Sequence, residues 1–207
     1  PNQNLPHPWN PSALSLLEWR GLGRPLSARD FTLGSAEIVL ENGLNSLITS
    51  INLDPAVYNP KMPLTVDIRD TVDYEETMRK YSLGPNGCIN TCLNLFLLEF
   101  KKPKESRYTI VDTPGQIEAF TWSAPGEALM SMLDNITILY IIDMSLCRNK
   151  RVFVYNMLFA ASLRLKFKRP LLVLFNKCDL EEIKEVELWI RDYNAFRLTI
   201  DPADSEL

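Results

Sequence analysis

Two short polar strings in this chain have the residue types and spacing to handle a nucleotide. The first is Asp112-Thr113-Pro114-Gly115-Gln116, directly after the run Tyr108-Thr109-Ile110-Val111. A carboxylate at such a strand end can hold magnesium through water, because magnesium takes one or two carboxylates plus phosphate oxygens. Gly115 has no side chain to obstruct a γ-phosphate, so its backbone N–H can approach one. Gln116 can orient an attacking water, and Glu118 lies where it can assist. The second string is Asn176-Lys177-Cys178-Asp179, directly after Leu171-Leu172-Val173-Leu174-Phe175. A carboxylate accepts from both the ring N–H and the exocyclic amine of guanine, a donor pair that adenine lacks. The aliphatic stem of Lys177 can lie along the purine plane. Thr113-Pro114-Gly115 alone is a tight turn, and N-K-x-D alone is short and common. Their weight comes from following buried strands, about sixty residues apart.

The elements that must position these strings can be read from hydrophobic period and stop signals. Leu47 to Ile51 reads as a short strand ending in Asn52-Leu53-Asp54-Pro55-Ala56. Asp70 is a candidate N-cap for a helix through Tyr81, with Glu75 and Glu76 early and Arg79 and Lys80 late, as the helix dipole favours. Gly84 and Pro85 read as a helix stop. Ile89, Cys92, Leu93, Phe96, Leu97 and Phe100 form one stripe at helical spacing. A strand over 107–111 follows, then a helical region from Ile117 to Leu133 interrupted at Pro125-Gly126. Ile136 to Ile142 is a continuous apolar run closing on Asp143, which predicts a strand buried on both faces. Phe153 to Phe167 reads as a helix, Leu171 to Phe175 as another buried strand, and Ile183 to Leu198 as a last amphipathic helix. This alternation predicts an α/β fold with a mostly parallel sheet and flanking helices. Ligands in such sheets bind at the carboxyl ends of strands, where Asp54, Asp112 and Asn176 are expected. Residues 1–46 are proline-punctuated and read as a poorly ordered lead-in, with one or two helical turns at 14–19; residues 47–207 read as the folded domain.

Composition removes several alternatives. The chain has 207 residues, a net charge of −4 and a single histidine, His7. A Ser-His-Asp triad or an H-E-x-x-H zinc site is therefore not expected. No basic stripe points to direct nucleic-acid binding, and no apolar run approaches the length of a membrane span. Residues 1–30 lack the charged-then-apolar order of a signal peptide. Cys88, Cys92, Cys147 and Cys178 complete no zinc set and read as reduced, buried thiols.

Further strings join the first two: Ile51-Asn52-Leu53-Asp54-Pro55-Ala56-Val57, Asp67-Ile68-Arg69-Asp70, Leu83-Gly84-Pro85-Asn86-Gly87, Leu93-Asn94-Leu95-Phe96, Phe120-Thr121-Trp122-Ser123-Ala124 and Asn156-Met157-Leu158. In this order and spacing, over roughly residues 47–199, the chain resembles a GPN-loop GTPase, a family named for Gly84-Pro85-Asn86 as it stands here. The wording of Asp112–Gln116 and Phe120–Ala124 is most similar to the paralogue tied to assembly and nuclear import of RNA polymerase II. The resemblance implies a P-loop-type fold, GTP and magnesium as ligands, and GTP hydrolysis. It implies that Asp54, Asp112, Gln116 and Glu118 surround magnesium and the hydrolytic water, with Asp54 and Asp112 reaching the metal through water. Asp67 would sit in the first switch, Gly115 would meet the γ-phosphate, and Asn176, Lys177 and Asp179 would take guanine. It further implies a homo- or heterodimer with another GPN-loop GTPase, in which Gly84, Pro85 and Asn86 reach toward the partner's γ-phosphate. RNA polymerase II subunits would be partners, and the protein would shuttle between cytoplasm and nucleus.

One departure from the family pattern is plain. No G-x-x-x-x-G-K-[ST] occurs in these residues, and no glycine is followed by lysine. In the family that loop precedes the Asn-Leu-Asp-Pro-Ala aspartate by about thirty residues. Counting back from Asp54 lands near Arg24, in Gly23-Arg24-Pro25-Leu26-Ser27-Ala28-Arg29-Asp30. The loop amides, the lysine and the hydroxyl that would cradle phosphate and magnesium are absent there. Three outcomes are open: a GTPase in altered or incomplete form with weakened nucleotide binding, a dimerising scaffold that holds no nucleotide, or an unstable fragment whose sheet lacks a central strand and that has no function alone.

Overall fold

The computed structural model describes residues 12–19, 48–58, 63–101, 108–147, 149–179 and 184–199. The strands are β1 (Ser12–Trp19), β2 (Ile48–Asn52), β3 (Val66–Asp67), β4 (Tyr108–Asp112), β5 (Ile136–Asp143) and β6 (Leu171–Asn176). The helices are α1 (Tyr74–Tyr81), α2 (Pro85–Glu99), α3 (Ile117–Thr121), α4 (Ala124–Met132), α5 (Lys150–Phe167), α6 (Lys184–Arg191) and α7 (Tyr193–Thr199). The sheet order is β3-β2-β4-β1-β5-β6. The pairs β2–β3, β2–β4 and β5–β6 are parallel. The architecture is thus the expected α/β fold with a mostly parallel sheet.

The exception is β1, which runs antiparallel to both neighbours at the centre of the sheet. Ser15 faces Asp112 and Trp19 faces Tyr108 on one side; Ser12 faces Ile142 and Glu18 faces Ile136 on the other. Leu14–Trp19 is therefore strand rather than the helical turns read from sequence. Two neighbouring strands offer continuous ladders of unpaired N–H and C=O groups there, and satisfying them outweighs a short helix's weak local preference. Other parts of 1–46 lie outside the described residues.

Local signals explain most helix boundaries. Asp73, rather than Asp70, caps α1 by accepting from Glu76 N–H at 2.8 Å, while Ile68–Asp70 forms a 3-10 turn capped by Asp67. Helix α1 ends on Ser82, which takes the left-handed conformation (φ 51°). Gly84 is accordingly not the stop but the N-cap of α2, with Pro85 in the first turn. Proline is well placed there because the first helical N–H has no partner to lose. The same reasoning moves the predicted break at Pro125-Gly126: the interruption falls at Trp122-Ser123, and Pro125 opens α4. The last expected helix is divided at Asp192, whose Oδ1 accepts from Asn194 N–H at 2.8 Å and starts α7.

The core lies on both sides of the sheet. Ile51, Val111, Ile138, Tyr140 and Ile142 are buried with Leu93 and Phe96 of α2, Leu129 of α4, and Phe153 and Leu163 of α5. Tyr140 Oη donates to Asn156 Oδ1 at 2.7 Å, and Asn156 Nδ2 donates to Val152 O at 2.8 Å, so this buried polar pair is satisfied and ties α5 to β5. Strand β5 is buried as expected. Strand β6 is only half-buried, because it closes the sheet on one side. No helix among the described residues is long and apolar enough to cross a membrane.

Candidate functional site

Strand register brings the sequence-singled residues to one edge of the sheet. Asn52 at the end of β2 pairs with Asp112 at the end of β4, and Asp143 at the end of β5 pairs with Asn176 at the end of β6. All lie at the carboxyl edge, where open parallel sheets take their ligands. From β4 to β6 the span is three strand spacings, about 14 Å. The two strings thus form two ends of one edge.

At the β2–β4 end a hydrogen-bonded cluster holds the carboxylates. Asp54 Oδ1 accepts from Ala56 N–H at 2.9 Å, and Asp54 Oδ2 accepts from Gly115 N–H at 3.3 Å. The loop after β2 is thereby joined to the loop after β4, and the amide expected to meet a phosphate is turned onto a carboxylate. Asn52 is buried and satisfied: its Nδ2 donates to Asp54 O at 3.1 Å and Asp67 Oδ1 at 2.9 Å, and its Oδ1 accepts from Asp54 N–H at 3.0 Å. Arg69 donates through Nε and Nη2 to Asp67 and through Nη1 to Val57 O at 3.1 Å. Burial pushes the Asp67 carboxyl upward, but the bonds from Arg69 and Asn52 outweigh it and hold the group below the usual carboxylate range. Arg69 belonged to a matched string and Asn52 to another, yet neither had a role in the sequence reading. Only the fold puts both against Asp67.

Gln116 and Glu118 stand exposed at the start of α3, Gln116 as its N-cap residue. The direction of that helix start is set by a close corner: Gly126 of α4 packs so tightly on α3 that an added Cβ would lie 2.0 Å from Phe120 O. Gly84, Pro85 and Asn86 are exposed at the start of α2. Among the described residues no hydrogen bond joins that triplet to the Asp54–Asp67 cluster.

At the β5–β6 end, Asn176, Lys177, Cys178 and Asp179 are all exposed. Lys177 is left-handed (φ 60°), a conformation that costs a residue with a Cβ roughly 1–2 kcal/mol. Asn176 Oδ1 accepts from Lys177 N–H at 2.9 Å, and Lys177 Nζ donates to Asp143 Oδ2 at 2.6 Å. Asp143 was legible only as the residue closing the apolar run of β5; its partnership needed the register. Cys178 corrects the sequence reading of four buried thiols: Cys88, Cys92 and Cys147 are buried, and Cys178 is exposed.

Among the described residues no group of three or more His, Cys, Asp or Glu side chains could hold a metal alone. Asp54, in the loop after β2, and Asp112, the last residue of β4, are hard oxygen donors of the kind magnesium shares with phosphate and water. The donor set fits a magnesium ion that arrives with a phosphate.

Comparison with known proteins agrees with this geometry. The profile of a family described as "conserved hypothetical ATP binding protein" matches residues 32–206. The chain is 42% identical over 167 residues to GPN-loop GTPase 1 of Dictyostelium discoideum, covering 73% of this chain and 42% of that protein. It is 41% identical over 167 residues to the GPN-loop GTPase QQT2 of Arabidopsis thaliana, covering 75% and 44% respectively. The chain therefore spans under half the length of these curated relatives. A GTPase from Pyrococcus abyssi, solved in apo form, superimposes with a TM-score of 0.68 at 26% identity, covering 81% of this chain and 71% of that one. Sequence, sheet edge and relatives lead to one assignment: this chain belongs to the GPN-loop GTPase family.

Proposed function

We propose that this chain is the guanine-reading and hydrolytic part of a GTP hydrolase. The observation that carries the proposal is the strand register, which sets Asp112 beside Asn52 and Asp143 beside Asn176 on one edge. In this reading Asn176, Lys177 and Asp179 take guanine, which a carboxylate distinguishes from adenine by the paired donors. Gly115 meets the γ-phosphate, Gln116 and Glu118 orient the attacking water, and Asp67 belongs to the first switch. Asp54 and Asp112 hold magnesium, whose contribution when bound is to neutralise phosphate charge. The Asp54–Gly115 bond must open for the amide to reach a phosphate.

The same reading extends to the whole protein. It acts as a dimer with itself or another GPN-loop GTPase, with Gly84, Pro85 and Asn86 turned toward the partner's nucleotide. It supports assembly and nuclear import of RNA polymerase II through contacts with polymerase subunits, moving between cytoplasm and nucleus. The similarity of Asp112–Gln116 and Phe120–Ala124 to that paralogue supports this extension.

A second reading, a scaffold that holds no nucleotide, is favoured by β1. A phosphate loop leaves its strand at the carboxyl edge; β1 runs the other way, and the chain leaves it at Trp19 beside Tyr108. With no phosphate loop in these residues, three or four charged hydrogen bonds of about 1.5–3 kcal/mol each are lost. Titration with a fluorescent GTP analogue and magnesium is expected to show binding far weaker than micromolar. Replacing the residues ahead of Leu47 with a strand-loop-helix carrying G-x-x-x-x-G-K-T is expected to restore it. If that graft leaves binding unchanged, the scaffold reading stands.

A further inference from the structure

The ion pair between Asp143 and Lys177 links the end of β5 to the loop assigned to guanine. Asp143 is held from its own side: Oδ1 accepts from Ser145 N–H at 3.0 Å and from Ser145 Oγ at 2.6 Å. Its other oxygen, Oδ2, is left aimed across the strand pair at Lys177 Nζ, 2.6 Å away. Lys177 is held at its opposite end by the left-handed backbone and the bond to Asn176 Oδ1. An exposed lysine stem otherwise samples many rotamers. Here it is tied at both ends, which narrows the course of its methylene chain between the tips of β5 and β6. The Asp143 carboxylate stays ionised for this purpose: burial raises its pKa, but the bonds from Lys177 and Ser145 outweigh burial and bring it below the usual range.

We propose that Asp143 is a positioning residue for base recognition, fixing the Lys177 stem as the apolar wall against which the flat face of a purine rests. Asp143 itself does not touch the base; it acts through Lys177, with Ser145 as its brace. The proposal rests on the assignment of Asn176, Lys177 and Asp179 to guanine. It adds what holds the shape of that loop: a strained backbone residue is fixed by two polar contacts from neighbouring strand ends.

Cys178 is the natural reporter, being the exposed thiol directly after Lys177, with its Sγ donating to Phe175 O at 3.2 Å. Cys88 and Cys92 are internal controls, since both are buried and both lie on α2. Burial pushes the thiols of Cys92 and Cys147 up to about 12 and about 11, and protonated thiols react slowly. The test is the rate at which iodoacetamide alkylates each cysteine, read by mass spectrometry, with and without roughly millimolar guanosine diphosphate. Asp143→Ala is expected to speed Cys178 alkylation about threefold or more while Cys88 and Cys92 stay protected. Asp143→Glu is expected to restore a slower rate. Guanosine diphosphate is expected to protect Cys178 in the unaltered chain, and to protect it less in Asp143→Ala; adenosine diphosphate is expected to protect neither. An unchanged Cys178 rate in Asp143→Ala, with Cys88 and Cys92 still protected, overturns the positioning role. Absence of protection by guanosine diphosphate in the unaltered chain overturns the guanine assignment and the base-wall role with it. The ligand-free rates of the two variants then still report whether Asp143 orders the loop, so the two failures are distinguishable.

Discussion

The two ends of the ligand edge are built on different principles. At the β2–β4 end, Asn52, Asp54, Asp67, Arg69 and Gly115 form a web that joins three chain segments, and Asn52 is only 2% exposed. At the β5–β6 end, the loop from Asn176 to Asp179 is exposed, sits on a half-buried strand, and is held by the Asn176–Lys177 bond and an ion pair whose lysine side chain is 51% exposed. The lesson concerns tolerance. A web of shared, part-buried bonds loses several partners when one member is removed, whereas an exposed pair is screened by water and weakens alone. Damage at the first end should register as lost stability, and damage at the second as lost recognition.

The contrast can be tested from its strongest consequence downward. Gly126→Ala should destabilise by about 3 kcal/mol, because the new Cβ meets Phe120 backbone that cannot yield. A urea midpoint shift of under about 1 kcal/mol equivalent would show that the α3–α4 corner does not constrain the start of α3. Asn52→Ala should cost about 2 kcal/mol, since Asp54 N–H, Asp54 O and an Asp67 oxygen all lose a partner. Ser145→Ala, its counterpart at the other end, should cost clearly less in the same assay.

Acid unfolding sharpens the comparison further. The folded Asp67 carboxyl lies below its unfolded value, so its contribution is fully present above the ordinary carboxylate range and is lost as pH falls through the depressed folded pKa. Asp67→Asn should therefore flatten the fall in stability on the acid side of about pH 4. An unchanged acid limb would mean that Asp67 is not held as described. The smallest effect belongs to Lys177. Lys177→Ala keeps the left-handed strain and loses the ion pair, whereas Lys177→Gly relieves the strain. Thermal melts should place glycine above alanine by about 1 kcal/mol; equal values would show that the loop carries no strain.

Much of this was readable before any coordinates. A continuous apolar run marked β5 because a strand covered on both faces has no polar side to show, and the same kind of run marked β6 as a strand while overstating its burial. Asp112 and Asn176 were legible because a polar residue closing such a run has left the core. Helix boundaries were read less well. Asp70 and Asp73 are both competent caps, and the choice fell to the one whose N3 amide could reach it. Gly84 and Pro85 carry the same composition whether they stop one helix or start the next. Arg69, Asn52 and Asp143 were present in the text but silent, since nothing along the chain indicates that Asn52 and Asp67, or Asp143 and Lys177, are neighbours.

Local chemistry by itself determined which residues can meet metal, phosphate and purine, because donor type, side-chain absence at Gly115 and apolar period are properties of the chain. Only tertiary structure decided which of those residues share a site and in what state. Strand pairing set Asp54 against Gly115 and Asp143 against Lys177, and it turned Ser12–Trp19 into a central strand running against its neighbours. The physical reason is that unpaired strand ladders must be satisfied wherever they occur, and the segment that satisfies them is chosen by three-dimensional opportunity rather than by its own propensity.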